Sequence, residues 1–112
     1  MKPPNHLIAA WQEHLLLKAQ AQVAKAKADI LFRHAAQDVV LRVRADSYSR
    51  MANRLRTRAD VLFRQALVAE FSLRTVRFEW KDDHICTVWV RKPYTQDEHP
   101  LNFHRSLRQS RK

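Results

Sequence analysis

Arginine is the residue whose type and spacing most directly indicate a chemistry in this 112-residue chain. Seven arginines fall between positions 42 and 64, namely Arg42, Arg44, Arg50, Arg54, Arg56, Arg58 and Arg64. On a helix, Arg50, Arg54 and Arg64 would lie opposite the apolar residues of the same segment. A guanidinium can bind phosphate through two parallel hydrogen bonds, so this pattern predicts phosphate contacts. An exposed helix face that meets only water is an equally common explanation of a basic run.

A second group of basic residues is interleaved with aromatic ones. Arg74, Arg77, Lys81, Arg91 and Lys92 alternate with Phe78, Trp80, Trp89 and Tyr94. Exposed rings beside cations can stack unpaired bases, which makes Trp80, Trp89 and Tyr94 candidate stacking or partner-binding residues. The competing interpretation, that these rings form the hydrophobic core, is the more common role of aromatics at strand spacing.

Metal-binding and catalytic patterns are weak. His84 and Cys86 would share one face of a strand, with His99 and His104 further on, but the spacing matches no standard pair of zinc ligands. The adjacent acids Asp82-Asp83 fall in a turn, where burial would not raise their pKa values toward those of a catalytic acid. We therefore predict no metal, no cofactor and no catalytic residue.

The composition excludes several classes of protein. Glycine is absent, although average usage of about 7% would give about eight residues. Glycine-rich phosphate loops and dinucleotide-binding motifs are excluded by this absence. Lys and Arg total 21 against 11 Asp and Glu, a net charge of +10, which attracts polyanions. A lone Cys86, a start without a signal-peptide core and no uncharged stretch of about 20 residues predict a cytoplasmic protein without a membrane partner.

Two long helices must position the arginines. From Asn5 to Phe71 the chain is rich in Ala, Leu, Arg and Gln and contains no proline. Asn5 can cap the first helix, and either Asp38 or Asp46-Ser47 can cap a second one. The cap at Asp38 is favoured, which divides the segment into helices of about 5–36 and 39–71. An apolar seam, meaning a stripe of residues at alternating steps of 3 and 4, occurs in each: Leu16, Ala19, Val23, Ala26 and Ile30 in the first, and Leu41, Ala45, Tyr48, Ala52, Leu55, Ala59, Leu62, Ala66 and Ala69 in the second.

These seams predict a helical hairpin in which each helix packs on the other. The alternative is one long coiled-coil helix of about 65 residues, which would bury its seam only by forming a homodimer. A winged-helix arrangement is a minor third option, because the second seam runs unbroken through the place where a helix-turn-helix would bend.

Beyond residue 73 the period of the pattern changes from 3.6 to 2. The stretches 75–81 and 85–90 alternate or are rich in β-branched and aromatic residues, which predicts a β-hairpin. Its register is open: Val76, Phe78 and Trp80 face either Ile85 and Trp89, or Cys86, Val88 and Val90. A single domain over residues 1–104 and a loose basic tail over 105–112 are expected, with a short helix within 101–112 as an option.

The predicted fold is therefore α+β and mainly helical: a long αα-hairpin, a two-stranded β-hairpin and a basic C-terminal tail. The predicted function is non-catalytic nucleic-acid binding, with phosphates contacted by Arg50, Arg54, Arg58, Arg64, Arg74, Arg77, Arg91, Arg105, Arg108, Arg111 and Lys112. The alternative is a protein-interaction module, an inhibitor or adaptor that docks on an acidic surface of a larger protein complex.

Overall fold

A computed structural model describes residues 2–72 and 76–109. It has two long antiparallel helices, α1 (Asn5–Ala35) and α2 (Val39–Phe71), followed by a small antiparallel sheet. The helical hairpin is confirmed, and the single rod and the helix-turn-helix are wrong, because the chain reverses direction at residues 36–38 between two unbroken helices. Neither helix, among the residues described, combines the length and apolarity that crossing a bilayer requires.

The two helix starts differ from each other. Asp38 caps α2 as predicted, since its Oδ1 accepts hydrogen bonds from the amides of Val40 (3.0 Å) and Leu41 (3.3 Å). Asn5 does not cap α1, because the helix begins at Asn5 itself and the preceding Pro4 occupies the cap position. The carbonyl of Pro4 accepts hydrogen bonds from the amides of Leu7 and Ile8, both at 3.0 Å.

The seam of α2 is confirmed over most of its length, whereas that of α1 is wrong. Ala45, Ala52 and Ala59 are buried against α1, and beyond them the buried positions shift to Phe63 and Leu67. On α1 the buried residues are Leu7, Ile8, Trp11, His14, Leu17, Lys18, Ala21, Ala24, Ala28 and Ala35, and the predicted stripe through Leu16, Val23 and Ile30 faces outward. The buried stripe includes a histidine and a lysine, so its apolar period is interrupted in the sequence.

The sheet has the strand order β1 (Val76–Asp82), β2 (Ile85–Arg91) and β3 (Glu98–Phe103). The predicted hairpin of β1 and β2 is confirmed, and Trp80 pairs with Cys86 and Phe78 with Val88. The turn itself is formed by positions 83–84 only, because Asp82 pairs with Ile85. A bulge between Trp80 and Asp82 adds one residue to β1. Beyond the bulge the register is therefore the one predicted for a three-residue loop.

The third strand was not predicted. It contains Pro100, opposite Trp89, and this proline is tolerated because β3 lies at the edge of the sheet, where a missing amide donor costs no ladder hydrogen bond. The optional helix within 101–112 is wrong for Leu101 and Phe103, which are buried strand residues.

The core lies where the sheet covers the open end of the helical hairpin. Its members are Leu7, Ile8, Trp11, Phe63, Leu67, Cys86, Val88, Val90, Leu101, Phe103 and Leu107. The amide of Leu107 donates a hydrogen bond to the His104 carbonyl (3.1 Å), and the Leu107 carbonyl accepts one from the Gln12 side chain (3.4 Å). The closed end of the hairpin projects beyond this core, which gives the molecule extents of 61 × 32 × 21 Å.

Candidate nucleic-acid interface

The arginines of α2 all have exposed positions. Within residues 2–72 and 76–109, no ion pair joins any of these seven arginines to a carboxylate. Between residues 40 and 69 the helix carries only two acids, Asp46 and Asp60, and the second is occupied by the ammonium of Lys18 at 3.1 Å. The guanidinium groups are therefore available to an external anion.

Helix geometry places four of these arginines, Arg50, Arg54, Arg58 and Arg64, along the outer side of α2. At about 100° per residue, Arg50 and Arg54 lie roughly opposite the buried Ala52, while Arg58 and Arg64 lie on its two flanks. From Arg50 to Arg64 the helix rises about 21 Å, a distance over which one nucleic-acid strand presents about six phosphates. The outer side of α2 can thus track a phosphate backbone over several nucleotides.

The basic residues of the sheet are less available to an external anion than the α2 arginines. Arg77 lies with its Nε 3.5 Å from the Glu98 carboxylate and its guanidinium 5.3 Å from the centre of the Trp89 ring. Glu79, on the same outer face, accepts a 2.8 Å hydrogen bond from Trp89 Nε1. Arg91 is exposed but stands opposite Glu98 in the β2–β3 pairing. This face is consequently more balanced in charge than α2.

All but one of the remaining predicted phosphate contacts lie near the end of the chain. Arg105 and Arg108 are exposed, and Arg108 donates to the carbonyls of Arg105 and Leu107, both at 3.1 Å. Arg74, Arg111 and Lys112 fall outside the described residues.

The three aromatic candidates do not form one platform. Trp80 and Trp89 point to opposite faces of the sheet, because Trp80 pairs with Cys86 and Trp89 with Arg77. Tyr94 is fully exposed in the loop before β3, with a positive φ of 64°. Trp89 is half-buried, and Trp80 is 43% exposed.

Trp80 is the outermost member of a stack of rings. Trp11 and His14 are stacked with their centroids 5.0 Å apart, and the Trp80 ring lies 5.4 Å from His14 and 6.0 Å from Trp11 at tilts of about 30°. Both inner rings are fully buried, which holds Trp80 in place. A rigid indole that remains partly exposed is suited to stacking an additional planar group.

A polar cluster beneath Trp80 was missed by the sequence analysis. His14 is fully buried and its Nδ1 lies 3.1 Å from the Ala59 carbonyl, so Nδ1 must carry the proton and donate it. Its Nε2 is also buried and has no hydrogen-bond partner among the residues that the structure describes. Desolvation, the largest effect, lowers the pKa of His14, and the Lys18 charge lowers it further, against opposing contributions led by the Ala59 hydrogen bond. The i, i+4 spacing of His14 and Lys18 was the available signal.

The same cluster borders a cavity of about 370 Å³ beside β1. Its lining residues are Lys18, Asp60, Phe63, Arg64, Phe78, Trp80 and Asp83. Lys18 is buried, with its Nζ 3.1 Å from Asp60 and 4.0 Å from Asp83, and Arg64 lies over the Phe78 ring at 5.6 Å. The cavity therefore combines an aromatic wall with paired charges.

The cysteine thiol and the histidines are the side chains whose types could support a reactive or metal-binding site. Burial raises the pKa of the Cys86 thiol to about 12, so the thiolate form needed for nucleophilic attack is scarce near neutral pH. No group of three His, Cys, Asp or Glu side chains that could hold a metal ion occurs in the part of the chain that the structure describes.

Comparisons with protein-family models, with curated proteins and with solved structures found no match to this chain.

Proposed function

We propose that the protein binds nucleic acid without catalysing a reaction on it, through the outer side of α2. The observation that carries this proposal is the set of exposed α2 arginines that form no ion pair with any carboxylate in residues 2–72 and 76–109. An ordinary solvated helix face pairs charges of both signs. Here Asp46 lies one turn before Arg50 but forms no ion pair with another described residue, and Asp60 is paired with Lys18. A helix that carries seven arginines against two acids between residues 40 and 69 has a field suited to a polyanion.

The chemistry of arginine strengthens the case over a general positive charge. Along α2 all seven basic residues are arginine and none is lysine. Arginine binds phosphate oxygens in a bidentate manner and is more weakly hydrated than lysine, so less solvation free energy is lost on contact. Arg105 and Arg108 would add contacts at the sheet end of the molecule.

Trp80 gives this proposal a second component, the stacking of an unpaired base. The indole is held by Trp11 and His14 on its buried side and is 43% exposed. The neighbouring Arg64, on the flank of α2, would contact the phosphate of the stacked nucleotide. Single strands are therefore the expected preferred ligand, since their bases are free to stack.

Fluorescence anisotropy of labelled duplex DNA, single-stranded DNA and RNA tests the proposal over about 50 to 200 mM salt. The double variant Arg50→Ala/Arg54→Ala should bind more weakly and should lower the slope of log affinity against log salt by about 1.8 for duplex DNA, or about 1.4 for single strands. The matched control, Lys25→Ala/Arg33→Ala on α1, removes the same charge from exposed positions and should change the slope much less.

Two results would overturn the proposal. No binding at the lowest salt would mean that the cations serve an acidic protein surface, the alternative function. Equal losses in both double variants would mean that net charge, and not the outer side of α2, attracts the ligand. The variant Trp80→Leu tests the stacking component separately. It should weaken the binding of single strands by about 1–3 kcal/mol and leave the binding of duplex DNA unchanged.

A further inference from the structure

The outward-facing apolar stripe of α1 is an unused helix-packing surface. Leu16, Val23 and Ile30 are each between 52% and 55% exposed, and the exposed Ala19 and Ala26 complete a repeat of steps 3 and 4. This is the spacing with which a helix presents a continuous face to a partner helix. Within the molecule, α2 does not cover this stripe, since α1 meets α2 through Ala21, Ala24 and Ala28 instead.

On the same side of the hairpin, α2 contributes a second apolar wall. Met51 is 42% exposed, while Tyr48 and Leu55 are half-buried. Two adjoining depressions of about 670 and 480 Å³ lie between this wall and the α1 stripe, and both are lined by Lys27, Tyr48 and Met51. We call this continuous depression the hairpin groove. From Ala19 to Ile30 it follows α1 for about 17 Å, or three helical turns.

The two charged side chains that line the hairpin groove are both basic. They are Lys27, whose ammonium lies 5.6 Å from the centre of the Tyr48 ring, and Arg44 at the far end. The acids of this part of the hairpin, Asp29 and Asp46, are rotated by roughly 120–140° from Val23 and Met51 at 100° per residue. The groove thus has an apolar floor and a positively charged rim.

From this geometry we propose that the hairpin groove binds an acidic amphipathic α-helix of a partner protein. Such a helix would place its apolar face on Val23, Met51 and Leu55 and its carboxylates beside Lys27 and Arg44, which completes a three-helix layer. The proposal goes beyond nucleic-acid binding and does not depend on it. A second copy of this chain is the poorer occupant, because it would bring a molecule of net charge +10 and its own Lys27 and Arg44 against the same rim.

The probe is a synthetic helical peptide of about three heptads, with leucine at the a and d positions and glutamate at the flanking positions. Isothermal titration calorimetry should detect its binding to the full chain. Met51→Asp should weaken that binding at least about tenfold, because it places a carboxylate in the apolar floor. Circular dichroism confirms that the variant is folded, which is expected since Met51 is exposed.

The charge argument has its own matched pair of variants. Lys27→Glu/Arg44→Glu should weaken the peptide about tenfold or more, whereas Lys25→Glu/Arg42→Glu, with the same change in net charge on other sides of the two helices, should have a small effect. Equal losses in both doubles, unchanged binding of Met51→Asp, absence of binding, or equal binding of a peptide with lysine at the flanking positions would each overturn the proposal. So would a homodimer in sedimentation equilibrium that Val23→Asp dissociates. Nucleic-acid affinity is measured separately on the uncharged variant Met51→Ala and is expected to be unchanged.

Discussion

Phe63 on α2 lies at the centre of the aromatic cluster that joins the helices to the sheet. Its ring centroid lies 5.0 Å from those of Trp11 and Phe103, 5.5 Å from that of His14 and 6.0 Å from that of Trp80, and the side chain is 1% exposed. Most pairs are tilted or edge-on, which is the favourable geometry for aromatic rings. Removal of the ring therefore affects both helices and the sheet at once.

We expect Phe63→Ala to lower the free energy of unfolding by about 3–5 kcal/mol. Burial of the ring contributes about 2–3 kcal/mol, and the cavity left between rigid neighbours, together with the lost ring pairs, contributes the rest. A small domain has a total stability of about 5–15 kcal/mol, so the variant would be close to unfolding.

Urea denaturation followed by tryptophan fluorescence measures this loss. Phe32→Ala is the control, because Phe32 lies exposed near the closed end of the hairpin and its removal should cost less than about 1 kcal/mol. A loss below about 1.5 kcal/mol for Phe63→Ala, or equal losses for both variants, would refute the placement of the core at the open end of the hairpin.

Three further predictions concern polar groups. Because the pKa of His14 is lowered in the folded protein, the unfolded chain binds more protons just below pH 6.5. The free energy of unfolding should therefore fall as the pH decreases from about 6.5. Urea denaturation of His14→Phe should no longer show this part of the pH dependence. Asp60→Asn should lower the free energy of unfolding by about 1–2 kcal/mol, because the buried Lys18 loses its closer carboxylate. The loss is expected to be small because the Asp60 side chain is itself half-exposed, and solvent screens the ion pair. Asp38→Ala should cost about 1 kcal/mol through loss of the α2 cap. Asp46 is exposed, caps no helix and forms no ion pair with another described residue, so Asp46→Asn should change the free energy of unfolding little and is the control for both aspartate variants.

The sequence predicted the helices well because their signals are local. A long run without proline or glycine, the cap at Asp38 and the repeat through Ala45, Ala52 and Ala59 locate α2 to the residue. The seam of α1 was predicted wrongly because two stripes compete on that helix. The stripe through Leu16, Val23 and Ile30 is wholly apolar, yet the buried stripe contains His14 and Lys18, whose partners come from distant residues.

At the candidate site, too, the features that depend on one segment were predicted, and those that depend on distant residues were not. Exposure of the α2 arginines follows from helical period and charge, which are properties of one segment. The separation of Trp80 from Trp89 depends on a single extra residue between Trp80 and Asp82, which no glycine or asparagine turn announces. Strand β3 was missed because Pro100 is tolerated only at a sheet edge, and edge position is a property of the assembled sheet.

The division of the molecule into a packed end and a projecting end bears directly on function. At the packed end, bulky rings such as Trp11 and Phe63 fill the core, so substitutions there act on stability. Along the projecting hairpin, alanines such as Ala24 and Ala52 form the contact between the helices, and small side chains let the two backbones approach closely. The larger and charged side chains of both helices are consequently left outward, as the α2 arginines on one side and the hairpin groove on another. Because these residues contribute little to the core, their substitution tests binding with little effect on folding.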